Sequence, residues 1–134
     1  IVRKARKILG EMRGKKIAVF GLSFKPNTDD MRDAPSIDII ELLKKEGASV
    51  IAYDPQAVDN ARKIIKDIEY GRDIYETVKG AALLLVLTDW NEFKEADLEK
   101  IKKLMAAPCI IDGRNIYDPA ETKKLGFSYI GVGR

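Results

Sequence analysis

At 134 residues and 46% hydrophobic, the chain has the size and composition of one compact domain, and its longest apolar run, residues 81–87, is far too short to cross a bilayer. Its 24 basic and 21 acidic residues are interleaved around a net charge of +3, which excludes the one-sided cationic stripe of a nucleic-acid binder. Histidine is absent, removing the usual neutral-pH base and the commonest zinc ligand, and the single cysteine, Cys109, excludes an internal disulfide and suits a reducing cytoplasm.

Residues 1–13 place Ile1, Ala5, Ile8, Leu9 and Met12 at helical spacing between Arg3, Lys4, Arg6 and Lys7, with Gly14 as the stop. Such a helix suits packing on its own domain or on a neighbour better than a membrane surface, because it is short and lacks a large aromatic anchor. Ile1 already lies in helical period, so the chain reads as a piece of something longer. Strand and helix signals then alternate. A first strand is expected over 17–22, then a helix over 35–46 with Pro35 in its first turn and Gly47 as its stop. A strand over 49–53 closes at Asp54-Pro55, a helix follows over 58–66, and a short strand over 68–70. Residues 73–79 read as a helix stopped by Gly80, and 82–87 as a continuous apolar strand of the kind buried on both faces. A helix over 93–105, a strand over 109–111, a helix over 120–125 and a last strand over 127–132 complete the chain. The alternation predicts an α/β fold: a Rossmann-like, doubly wound, mainly parallel sheet of six strands in the order 3-2-1-4-5-6, with helices on both faces.

In that order, the connections from strands one and four leave in opposite directions, and a crevice opens at the carboxyl edge of the sheet. The loops 23–34, 88–90 and 112–115 meet there. The first is far longer than the roughly two to six residues usual between strand and helix, which marks it as functional. Together they gather Lys25, Arg32 and Arg114, with Phe24 and Trp90 as candidate stacking surfaces. Guanidinium forks and a flexible ammonium facing one crevice suit a ligand that carries phosphates. The competing explanation is that these cations simply pair with Asp29, Asp30 or Asp112.

An ordinary dinucleotide held by this domain alone is disfavoured, because the places that would carry Gly-x-Gly-x-x-Gly hold Gly21, Ser23 and Pro26. Asp29, Asp30 and Asp33 crowd the entrance of the following helix, where they suit caps and dipole partners and would repel an anion. Phosphate recognition therefore falls to side chains. Asp54 ends the second strand, where dinucleotide enzymes place a ribose-binding acid, but an Asp-Pro turn is its simpler role. Cys109 lies within an apolar strand and reads as a packed thiol. No carboxylate pair, metal cluster or nucleophile–base arrangement is evident, so no catalytic or metal-binding residue is assigned. A free-standing nucleotide or coenzyme A module would explain the same sheet. A phosphoacceptor domain would not, since it needs an acidic pair where this chain has Gly21, Leu22 and Ser23.

The stretch Gly21-Leu22-Ser23-Phe24-Lys25-Pro26-Asn27-Thr28-Asp29-Asp30-Met31-Arg32, with Ala34-Pro35-Ser36, Tyr53-Asp54-Pro55, Thr88-Asp89-Trp90 ahead of Phe93, and Asp112-Gly113-Arg114, resembles the C-terminal UDP-binding domain of the UDP-glucose/GDP-mannose dehydrogenase family, most of all its UDP-glucose 6-dehydrogenases. The resemblance covers residues 14–134, and 1–13 look like the end of that family's long connecting helix. It implies an oxidoreductase that converts UDP-glucose to UDP-glucuronate by two hydride transfers to NAD. An N-terminal Rossmann domain would hold the NAD, and a central helical region would supply the catalytic cysteine and the dimer contacts. On this resemblance Phe24 and Lys25 contact the UDP-sugar, Arg114 binds its nucleotide portion, and Arg32 reaches towards the NAD. The domain would be inactive alone, part of a cytoplasmic homo-oligomer, with no nucleic-acid or membrane partner. UDP-N-acetylhexosamine and GDP-mannose 6-dehydrogenases share much of the loop, so the sugar stays open at this point.

Overall fold

Runs of apolar residues without polar alternation can be buried only where both faces of a sheet are covered. A computed structural model describes residues 1–132 and shows that arrangement. The strands are β1 (Lys16–Phe20), β2 (Ser49–Tyr53), β3 (Glu69–Tyr70), β4 (Leu83–Val86), β5 (Cys109–Asp112) and β6 (Ser128–Gly131). They form one six-stranded sheet in the order β3-β2-β1-β4-β5-β6, and every pairing is parallel. The register sets Ile17 between Val50 and Leu83 and brings Phe20 level with Tyr53 and Val86.

Alternation along each strand divides the core in two. Ile17, Val19, Leu83 and Leu85 face one cluster, while Ala18, Phe20, Leu84 and Val86 face the other. The first face is covered by α1 (Val2–Leu9), α2 (Pro35–Lys45) and α3 (Val58–Ile64). The second is covered by α4 (Ile74–Val78), α5 (Asn91–Lys94), α6 (Leu98–Leu104) and α7 (Pro119–Lys124), and there Phe20 and Phe93 stack with ring centres 4.8 Å apart. Ala5 of α1 is fully buried, and Arg6 pairs with Glu46 beyond the end of α2.

Two expected helices differ from those observed. The first ends at Leu9 rather than running to 13, because Gly10 takes φ 68° and Met12, buried beyond the turn, belongs to the loop. The helix expected over 93–105 is two helices, since Asp97 accepts a hydrogen bond from the Lys100 N–H at 3.2 Å and starts α6 afresh. The expected domain runs to residue 134, but Gly133 and Arg134 lie outside the described residues.

Candidate phosphate-binding crevice

Gly21 turns the chain out of β1. Its φ is 100°, and a Cβ there would fall 2.4 Å from Thr88 Oγ1, so only glycine fits. The next two residues are tied down from several sides. The N–H groups of Leu22 and Ser23 donate to Asp54 Oδ2 at 2.9 and 3.1 Å. Ser36 Oγ donates to the Leu22 carbonyl at 2.6 Å, and Thr88 Oγ1 donates to the Ser23 carbonyl at 2.7 Å. The Ser23 hydroxyl lies 2.8 Å from Lys25 O and 3.1 Å from Asp54 Oδ2, with one proton to share between them.

Asp54 is thus more than a turn former. Its Oδ1 accepts from the N–H groups of Gln56 and Ala57, each at 2.9 Å, which is the Asp-Pro turn that the sequence suggests. Its Oδ2 accepts from the β1 loop and from the Trp90 indole N–H at 3.3 Å. With both oxygens engaged by the protein and the residue 2% exposed, the carboxylate is not free to hold a ribose. Trp90, expected as a stacking surface, is itself 6% exposed and held by Asp54, so that expectation is corrected. Asp112 plays a matching part at the end of β5, accepting from the N–H groups of Arg114 and Tyr117 and from the Tyr129 hydroxyl. Burial first, and then the Asp112 charge, push the Tyr117 phenol well above its usual range.

Beyond this root the loop is exposed. Phe24 is 44% exposed and Lys25 is exposed beside it, with no ion pair to Lys25 among the described residues. Arg114 reaches them from the far side of the crevice: its Nη1 donates to the Phe24 carbonyl at 3.3 Å, and its Nη2 stands 3.1 Å from Asp89 Oδ1. The structure therefore brings Phe24, Lys25 and Arg114 to one edge. The expected partners for the cations need a correction here, because Arg114 takes Asp89, not Asp29, Asp30 or Asp112, as its counter-charge.

Arg32 sits on the far wall of a cavity of about 220 Å³ that it shares with Phe24, Lys25, Thr28 and Asp30. Its guanidinium forks onto Asp30 at 2.8 to 3.2 Å. Those hydrogen bonds hold the Asp30 carboxyl down at about 2, although water screens the pair. None of the three loop aspartates caps α2, whose N-cap is Ala34 without a side-chain bond; Asp30 serves Arg32 instead, and Asp33 takes φ 55°. A larger hollow of about 560 Å³ opens between the loop and α3, lined by Asn60, Lys63 and Ile64. It lacks Phe24 and Lys25, which with Arg32 line the smaller cavity, and Arg114 joins that edge through its bond to the Phe24 carbonyl. Half-buried Cys109 lies inside β5, and burial pushes its thiol up, the opposite of what a nucleophile needs. Among the described residues no cluster suited to a metal occurs, and no helix is long and apolar enough to cross a membrane.

Comparison with known proteins gives this arrangement a context. The family model described as "UDP-glucose/GDP-mannose dehydrogenase family, UDP binding domain" matches residues 18–119. UDP-glucose 6-dehydrogenase of Rhizobium meliloti (strain 1021) is 48% identical over 125 residues, covering 93% of this chain and 29% of the relative. UDP-glucose 6-dehydrogenase TuaD of Bacillus subtilis (strain 168) is 44% identical over 135 residues, covering 100% and 29%. The crystal structure of NDP-N-acetyl-D-galactosaminuronic acid dehydrogenase from Methanosarcina mazei Go1 superposes with a TM-score of 0.85 at 34% identity, over 99% of this chain and 28% of that one. The chain spans about 29% of the length of the curated relatives it matches. On this evidence the chain belongs to the UDP-glucose/GDP-mannose dehydrogenase family.

Proposed function

We propose that this chain is the UDP-binding domain of an NAD-dependent UDP-glucose 6-dehydrogenase, and that its crevice grips the diphosphate of the substrate. Arg114 and Lys25 neutralise the pyrophosphate, and exposed Phe24 packs on a uracil or sugar face. One observation carries the proposal: the Arg114–Phe24 hydrogen bond joins loops 90 residues apart beside Lys25, giving a convergent set of donors. UDP-glucose is favoured as substrate because the UDP-glucose 6-dehydrogenases of Rhizobium meliloti and Bacillus subtilis are 48% and 44% identical to this chain.

The loop does not suit NAD as its main ligand. It has no glycine fingerprint, and the acid that would hold a ribose, Asp54, is engaged by the protein. The hydride acceptor, the catalytic cysteine and the dimer contacts are therefore assigned to other parts of a longer, cytoplasmic protein. Exposed Arg32 is proposed to extend towards NAD by exchanging Asp30 for a phosphate. The test is thermal melting with and without UDP. The proposal expects a modest rise in melting temperature with UDP and with UDP-glucose and none with uridine, which lacks the diphosphate. Unchanged melting at millimolar UDP would overturn it.

A further inference from the structure

Two exposed arginines face this crevice, and their carboxylate partners hold them differently. Asp30 meets Arg32 with directional hydrogen bonds from Nε and Nη2. Asp89 does not meet Arg114 in this way: Nη2 is 3.1 Å from Asp89 Oδ1, yet that oxygen, shut away from solvent, accepts no hydrogen bond among the described residues. A carboxylate that braced an arginine would accept parallel N–H bonds from the fork. A buried carboxylate oxygen without such bonds is costly, and the neighbouring positive charge is what offsets it. Among the described residues the one directional bond from this guanidinium runs elsewhere, from Nη1 to the Phe24 carbonyl.

We infer that Asp89 is the internal counter-anion of Arg114, holding it by charge alone and competing with the phosphates of the ligand for the same guanidinium. Asp89 then weakens the binding of anions to the crevice and eases their release. The effect follows ligand charge, so a neutral nucleoside does not feel it. This inference rests on the assignment of the crevice to a nucleotide diphosphate.

The test is titration of UDP and of uridine into the full chain and into its Asp89→Asn form, at low and at high salt. The inference expects UDP to bind the variant about two- to fivefold more tightly at low salt. The gain should shrink as salt rises, and uridine affinity should not change. Structural damage does not produce a tighter, salt-sensitive gain confined to charged ligands. Equal or weaker UDP binding by the variant would overturn the inference while leaving the proposed function standing. Failure of every form to bind UDP would overturn both. If Asp89→Asn does not fold, Asp89→Ser is expected to show the same gain, and weaker binding by a folded serine form would overturn the inference equally.

Discussion

The long loop after β1 has two regions of opposite character. Its root, Gly21 to Ser23, is buried and tied to β2, β4 and α2 through Asp54, Thr88 and Ser36. Its outer part, Phe24 to Asp33, is largely exposed, and Asn27 and Asp33 sit in left-handed backbone that few residues tolerate. Under the proposed function, the contrast explains how a surface loop can recognise a ligand with precision. Stability is concentrated at the buried root, and the exposed Phe24 and Lys25 side chains proposed to meet the ligand have no ion pair or hydrogen bond among the described residues. Substitutions at the root should therefore cost folding free energy, and substitutions in the outer part should cost affinity.

Asp54→Ala should show the largest effect. It strands the buried N–H groups of Leu22, Ser23 and Ala57 and the Trp90 indole. At about 1–3 kcal/mol for each unsatisfied donor, partly recovered by relaxation, a loss of roughly 3–5 kcal/mol in denaturant unfolding is expected. Gly21→Ala comes next, losing roughly 2–4 kcal/mol from left-handed strain and the overlap with Thr88. Arg114→Ala should behave in the opposite manner. UDP binding should weaken by roughly 1.5–3 kcal/mol in calorimetry, while the melting temperature falls by less than in either root variant, the loss coming from the charge removed beside Asp89. A variant at Arg114 that unfolds the domain would erase the distinction between root and outer part.

The smallest effect concerns pH. The Asp30 carboxyl, held at about 2 against an ordinary 3.8 by its bonds to Arg32, contributes stability that is present above pH 4 and is lost as pH falls towards 2. Both side chains are exposed, so the change in melting should be slight. Carboxyl NMR is the sharper readout: Arg32→Ala should return the Asp30 midpoint towards 3.8 and leave melting at neutral pH unchanged.

Strand order was legible in the sequence, and strand positions to within two residues, because β1, β2, β4 and β5 are built on short apolar runs; the expected first strand overran into Gly21 and Leu22, which belong to the loop. The two helices that were misplaced turn on local chemistry that periodicity cannot detect. Gly10 ends α1 although apolar spacing continues to Met12, and Asp97 caps α6 within a stretch whose apolar pattern suggests one long helix. At the crevice, the gathering of Phe24, Lys25 and Arg114 could be read from topology, since each follows a strand at one sheet edge. The second half of the Asp54 network, the burial of Trp90 and the pairing of Asp89 with Arg114 could not. Each depends on which way a side chain leaves its loop, and strand periodicity says nothing about that. Asp89 does leave one trace in the sequence, because it lies in the loop after β4, the strand beside β5, and Arg114 lies in the loop after β5.

The central claim is one of place: UDP lies between the β1 loop and the loop after β5. Backbone amide NMR during a UDP titration measures this directly. The account predicts that the largest shift changes fall at Phe24, Lys25, Gly113 and Arg114, with little change at Asn60, Lys63 and Ile64 around the larger hollow. The reverse pattern, with changes centred on α3 and none at Arg114, would contradict it.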